Sequence, residues 1–333
     1  MDMEPFTTFP GANIEPKAAK LGTRATIVTR LKSEHVLILL LGALILLFKS
    51  KSPYFFTFGN FENILLSIAV LGILAVPSTM LFVAAHVDLS VASIAAVCGM
   101  VVAQYGNEHG FLIGILMGLV AGILAGALNG TLVILGISSI IATLGTLSIF
   151  RGYAKLLSNG QTVPITGFRT LGSGSTIGLP NAILILFIVA AIFVVLLRFS
   201  VFGRSIYAIG SNPHAARLSG LRVRLSVFAA FVLTGACAAL AGMILTSQLR
   251  AATPVAGMGL ELSVVAAVLL GGASLDGGRG TVGGTILGVL ILGTLNNGMT
   301  IISVSAFWQE IARGVVLITA VGIGVIRTRL SAR

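Results

Sequence analysis

The chain has 333 residues, of which 56% are hydrophobic and only 9% charged, with 41 glycines and a formal net charge of +11. An average soluble domain carries roughly 25% charged residues, so there is too little charge here to coat soluble domains of this combined length, and the mean hydropathy of +1.06 points to a polytopic integral membrane protein. The basic balance does not indicate a nucleic-acid binder, because the 21 Lys and Arg lie between apolar runs instead of on one face, as positive-inside topology requires.

In chain order, residues 1–33 form a polar segment with Pro5, Pro10 and Pro16, and no cleavable signal is expected because the first apolar run starts only near Val36. A bilayer span needs roughly 20 mostly apolar residues, fewer where neighbours shield a broken helix. By that measure ten spans are predicted, with eight as the lower bound, near 34–48, 64–84, 88–103, 111–135, 137–157, 182–199, 226–249, 258–272, 281–302 and 306–326. The third and eighth are expected to be short, each with a carboxylate at its start. The fold class is therefore all-α, one transmembrane domain over 34–327 with short broken helices, followed by a tail at 328–333. Cys98 and Cys237 sit inside apolar runs and form neither a disulfide framework nor a metal-ligand spacing.

Orientation follows from Lys17, Lys20, Arg24, Arg30 and Lys32 at the start, from Arg198, Arg204, Arg217, Arg222 and Arg224 in the centre, and from Arg327, Arg329 and Arg333 at the end. Ten spans place these three groups on one side, together with Arg279, and the positive-inside rule makes that side cytoplasmic. Both termini are then cytoplasmic.

Two short matches recur at nearly one spacing. Asp88-Leu89-Ser90-Val91 is echoed by Glu261-Leu262-Ser263-Val264, 173 residues later, and Ala127-Leu128-Asn129-Gly130 by Thr294-Leu295-Asn296, 167 residues on from Asn129. They predict a duplicated unit, about 64–157 and 226–326. An odd number of spans separates the copies, so they run in opposite directions, the arrangement that places a translocation path between two halves.

The one long polar stretch between spans falls within 200–225. Asn212 suits an N-cap, Pro213 the first helical position, and Gly220 a left-handed position after about two turns from His214 to Ser219. Such a doubly capped helix is a rigid lever, and Ala215, Ala216 and Leu218 give it a small apolar surface able to enter a groove on another protein.

This cassette resembles the cytoplasmic coupling loop of the sugar permeases in bacterial ABC importers of the ribose type. The stretch Gly271-Gly272-Ala273-Ser274-Leu275-Asp276-Gly277-Gly278-Arg279-Gly280-Thr281 resembles a second hallmark of that family. So do Asp88-Leu89-Ser90-Val91, Thr143-Leu144-Gly145-Thr146-Leu147 with Phe150-Arg151-Gly152, and Leu295-Asn296-Asn297-Gly298. The likeness runs in order from about residue 60 to 326, with Ala85-His86-Val87 as a departure where many relatives carry Gly-Gly-Ile. It implies a non-enzymatic subunit of a bacterial inner-membrane complex that imports a monosaccharide. The implied partners are an ATP-binding cassette subunit, a periplasmic or extracellular sugar-binding protein, a second permease chain and membrane lipid, with no nucleic acid. No cofactor is expected on this chain, and ATP with Mg²⁺ belongs to the ATPase. In agreement, no Gly-Lys dipeptide occurs, so the phosphate-binding loop is absent.

Asn212, Pro213, His214, Ala215, Ala216, Arg217, Leu218 and Gly220 are thus the expected ATPase-coupling residues. Asp88, Ser90, Asn129, Gln248, Glu261, Asn296 and Asn297 are candidates for the path, against capping or packing roles for the carboxylates and amides. Gly271, Gly272, Gly277 and Gly278 are expected to form a hinge or gate. Arg151 is expected to snorkel to the outer interface, and Trp308, beside Phe307, to be an interfacial anchor. Branched-chain amino acids or an autoinducer-type furanose are alternative cargoes within the same machinery. An ion-coupled secondary transporter is the alternative from another class, but it has no use for the coupling cassette.

Overall fold

A computed structural model describes residues 33–168, 170–176 and 178–331. The N-terminal basic cluster from Lys17 to Lys32, and Arg333, lie outside these residues. The described chain is helical: α1 (Ser33–Lys51), α2 (Phe58–Val83), α3 (Val91–His109), α4 (Phe111–Ile134), α5 (Ser139–Leu157), α6 (Asn181–Phe199), α7 (Val201–Ser211), α8 (Pro213–Leu218), α9 (Val223–Leu249), α10 (Leu260–Leu270), α11 (Val282–Ile301) and α12 (Ala306–Ser331). A helix thus covers each of the ten predicted spans. By length and composition α2, α4, α5, α6, α9 and α11 are able to cross a membrane, while α10 is apolar but too short to do so alone. Helix α12 runs on through the expected tail to Ser331.

The third span is not short. Helix α3 has 19 residues and stops at His109, ahead of Gly110 at φ +92°. Its last turns look like loop because they carry Gln104 and Asn107. Both amides are satisfied by chain that the sequence does not place nearby: Gln104 donates to the Leu157 carbonyl, and Asn107 to the Pro164 carbonyl at 3.0 Å. Only the eighth span keeps the expected brevity, as α10, with 11 residues.

The helix pairings repeat with the two halves exchanged. Helix α3 packs on α4, α5 and α9, and α10 packs on α11, α12 and α2. Helix α9 packs on α4 as α2 packs on α11, and α2 and α9 meet each other at the centre. Helices α1 and α6 break the exchange, α1 lying on α11 and α6 on α2. From Val91 to Ala103 every α3 residue is buried. This explains why so central a stretch is rich in Ala and Val rather than Leu: these residues face protein on every side. The outward faces of α4 (Leu112, Leu116, Leu124) and α6 (Phe187, Ile188, Ile192) are instead exposed and apolar.

With lipid as apolar as the side chains, helices associate through close packing and interhelical hydrogen bonds rather than through the hydrophobic effect. Helix α4 carries Gly114, Gly118, Gly122, Gly126 and Gly130 at every fourth position, so the five lie on one face, and all are buried. A Cβ on Gly122 would meet the Gly235 carbonyl of α9 at 2.5 Å and Ala239 Cβ at 2.7 Å. The other half uses the same device, since a Cβ on Gly284 or Gly288 of α11 would strike the Gly271 or Ala267 carbonyl of α10. Between α2 and α11 the hydroxyls of Thr79 and Thr285 are 2.6 Å apart. The two cysteines are buried on α3 and α9.

Gly122→Val should therefore cost about 1–3 kcal/mol, the usual range for overpacking, seen as a lower melting temperature of the purified protein in detergent. Gly145→Val, where a Cβ meets open space, should leave the melting temperature nearly unchanged.

Candidate functional site

Ser200 caps α7, accepting the Gly203 N–H at 2.9 Å. This helix was not expected: 200–225 was read as loop with one short helix. Its signal is amphipathic, with Gly203, Ser205, Ile206, Ile209 and Gly210 buried on one side. Asn212 then ends α7 and starts α8. Its Oδ1 accepts the N–H groups of His214 at 3.0 Å and Ala215 at 2.9 Å, and Pro213 fills the first turn. At the far end Gly220 adopts φ +80°, and its N–H reaches the Arg217 carbonyl at 3.0 Å while Leu221 N–H reaches Ala216 at 3.1 Å. That pair of bonds is a Schellman cap. Both ends of α8 are thus closed within six residues.

His214, Ala215, Arg217 and Leu218 are exposed, Leu218 by 77%. Ala216 is not offered outward, contrary to expectation: it is buried, and its carbonyl serves the cap. An open cleft of about 450 Å³ beside α8 is lined by Arg217, Arg222, Val223, Arg224 and Leu225. The presented surface is basic with one large apolar tip.

Of the candidate path residues, Asp88, Ser90 and Asn129 come together. Asp88 Oδ1 accepts the Ser90 N–H at 2.8 Å and the Ser90 hydroxyl at 2.6 Å. Asn129 Nδ2 donates to Ser90 Oγ at 2.8 Å and lies 3.4 Å from Asp88 Oδ2. All three are buried, Asp88 and Ser90 next to the first turn of α3. Two partners escaped the sequence reading: Ser139 and Thr143 of α5 accept the N–H groups of Val87 at 3.2 Å and Leu89 at 3.1 Å. Their four-residue spacing on one helix face is the signal that could have revealed them. The cluster satisfies the backbone of the turn that leads into α3 in a dry environment, where a lost partner costs about 1–3 kcal/mol.

The repeat-equivalent residues do not form the same cluster. Glu261 Oε1 accepts the Gly259 N–H at 3.2 Å, and Asn297 Nδ2 donates to Asn60 Oδ1 at 2.8 Å. The buried Glu261 Oε2, Asn296 Oδ1 and Asn297 Oδ1 have no hydrogen-bond partner. Arg151 is the finding here. It does not snorkel: it is 8% exposed, and its Nη1 donates to the carbonyls of Pro254 at 3.0 Å and Ala256 at 2.9 Å, within electrostatic reach of Glu261. The loop it grips is a hundred residues away in sequence, which is why the position looked solvent-seeking. Ser139 and Arg151 are twelve residues apart on α5, or about 18 Å at 1.5 Å per residue. The two carboxylate regions therefore sit toward opposite ends of one helix.

Gln248 lies at the Arg151 end, half-buried beside Gly172. There Ser247 Oγ accepts the Gly172 N–H at 2.9 Å and donates to the Phe168 carbonyl at 3.1 Å, pinning the loop after α5 onto α9. Antiparallel strand pairs β1 (Val163–Pro164) with β4 (Ala251–Ala252), and β2 (Ser175–Thr176) with β3 (Leu179–Pro180), complete that cover. At the other end the glycine loop makes a tight reversal between α10 and α11. Gly271 itself has ordinary helical φ and is needed for close approach to Gly284, whereas Gly272, Gly277 and Gly278 adopt φ of +89°, +83° and +71°.

A family described as the permease component of branched-chain amino acid transport systems matches residues 60–321. The chain is 40% identical over 290 residues to the ribose import permease protein RbsC of Bacillus subtilis, covering 84% of this chain and 88% of that one. It is 36% identical over 290 residues to the D-allose transport system permease protein AlsC of Escherichia coli, covering 85% and 89%. To the L-arabinose ABC transporter permease protein AraH of Azospirillum brasilense it is 37% identical over 327 residues, covering 96% and 94%. No solved structure matches the chain.

Asp88→Ala should strand the donors of Ser90 and Asn129 and lower thermal stability in detergent by about 1–3 kcal/mol. Asp88→Asn, which keeps the Oδ1 acceptor, should lose markedly less, and equal losses for the two variants would exclude the acceptor role of Oδ1 toward Ser90.

Proposed function

Because the chain belongs to the family of branched-chain amino acid transport system permease components, we propose that it is the membrane subunit of a bacterial inner-membrane ABC importer that carries a monosaccharide. The similarity to permeases named for ribose, allose and arabinose supports the sugar class. The observation that carries the coupling role is α8, a rigid exposed helix locked at both ends beside a basic cleft. A permease of an ABC importer works with an ATPase and a solute-binding protein. In this reading ATP and Mg²⁺ are bound by the ATPase, which docks on Asn212 to Gly220 and pushes on α8. A second permease chain completes the path. Ten spans put both termini and α8 in the cytoplasm, with the strand-covered loops facing the binding protein.

Within the membrane domain, the cargo passes between the two exchanged halves, 64–157 and 226–326. Asp88 and Glu261 mark the two ends, with Asn129, Asn296 and Asn297 along the way and Gln248 near the outer mouth. The glycines from Gly271 to Gly278 let the inner end reshape. A neutral cargo suits this lining better than an amino acid. Arg151 is the one basic residue buried among the described residues, and its Nη1 is already held by two backbone carbonyls.

Reversing the charge at the exposed Arg217 tests the docking. In proteoliposomes holding the complete importer, Arg217→Glu should reduce ATP-driven ribose uptake roughly tenfold, a typical coupling loss, while the subunit still inserts and folds. Uptake at the wild-type rate would exclude α8 as the receiving element.

A further inference from the structure

Three backbone segments from distant parts of the chain meet beside α8. The carbonyl of Val83, the last residue of α2, accepts the Gly278 N–H at 2.8 Å. Gly210, in the last turn of α7, lies against both: a Cβ there would overlap the Val83 carbonyl oxygen and reach Gly278 N at 2.6 Å. On the other flank, a Cβ on Gly277 would meet the Gly210 carbonyl at 2.7 Å and Ala85 Cβ at 2.8 Å. One turn earlier on α7, the Tyr207 hydroxyl donates to the Gly280 carbonyl at 2.7 Å. Tyr207 is half-buried, and burial raises its phenol above the usual range, so it stays a donor.

What these segments belong to is the point. Asn212 is both the end of α7 and the cap of α8, so α8 cannot shift without moving Gly210. The Val83 end of α2 leads directly into the Asp88 cluster and α3. The glycine loop joins α10 to α11. Helices of both repeats are thus clamped to the base of α8 by main-chain contacts that leave no room for a side chain. We infer that the junction of Gly210, Tyr207, Val83 and Gly278 is the transmission point through which α8 moves the two repeats together, with Gly210 and Tyr207 as positioning residues. The covalent link from α8 into α9 is the competing route, and it would survive any change at the junction.

This inference rests on the importer reading above, and the experiment separates the two. The permease is assembled with its ATPase and loaded binding protein in proteoliposomes, and radiolabelled ribose, allose and arabinose taken up per ATP hydrolysed are measured. Gly210→Ala should lower that ratio roughly tenfold, within the range of allosteric coupling, with the ATPase still co-purifying. Tyr207→Phe, which removes one hydrogen bond and keeps the ring, should lower it roughly threefold. Gly283→Ala, where a Cβ meets open space, should leave it unchanged. Wild-type ratios for both junction variants overturn the junction and leave the importer intact. If Gly210→Ala fails to assemble, Tyr207→Phe decides alone, a reduced ratio supporting the junction and an unchanged one overturning it. A wild-type complex without ATP-driven uptake of any of the three sugars overturns the importer reading and the junction with it.

Discussion

Main chain pressed against main chain is the interaction on which this protein depends. In lipid, association must come from contact at short range, and glycine allows the shortest. Helices α4 and α9 meet through Gly122 and Gly235, α10 and α11 through Gly271 and Gly284, and α7 meets α2 and the glycine loop through Gly210. Charge does almost none of this. Among the described residues the only contact within 4.0 Å between a basic side chain and a carboxylate joins His109 to Glu108 at 3.8 Å, both exposed. A surface pair of that kind contributes at most about 1 kcal/mol.

Polar groups have a complementary task. At several turns inside the bundle a side-chain donor or acceptor meets the freed backbone, because an orphaned group in a dry interior is costly. Ser139 and Thr143 serve the turn before α3, Ser247 serves the loop after α5, and Arg151 serves the turn before α10. Helices and their connections are thereby fixed by different chemistry. Glycine faces set how closely helices approach, and a few side-chain donors and acceptors set where they begin.

Much of the helical order was legible in the sequence because apolar length is a local property. The ends of α8 were legible for the same reason: Asn212, Pro213 and Gly220 act within their own few residues. Two short echoes in the sequence suggest a duplicated unit, and the helix pairings are exchanged between the two halves. What stayed hidden depends on partners distant in the chain. Arg151 looked free because Pro254 and Ala256 were not recognisable as its acceptors. Helix α3 looked short because the carbonyls of Leu157 and Pro164 were not known to receive its last amides. Helix α7 was concealed by its small buried face. The candidate path residues split for a related reason: Asp88, Ser90 and Asn129 share bonds, while Glu261 Oε2 and Asn296 Oδ1 have no hydrogen-bond partner.

The burial of both native thiols has a practical side. Cys98 and Cys237 lie inside α3 and α9, at 0% and 7% exposure. Water-soluble maleimides and spin labels react through an accessible thiolate, so the native chain offers them little background. A single cysteine engineered on an exposed position such as Ser219 could carry a fluorophore or nitroxide without first stripping the protein of its own sulfur. Helix motions would then be measurable in an otherwise unaltered molecule.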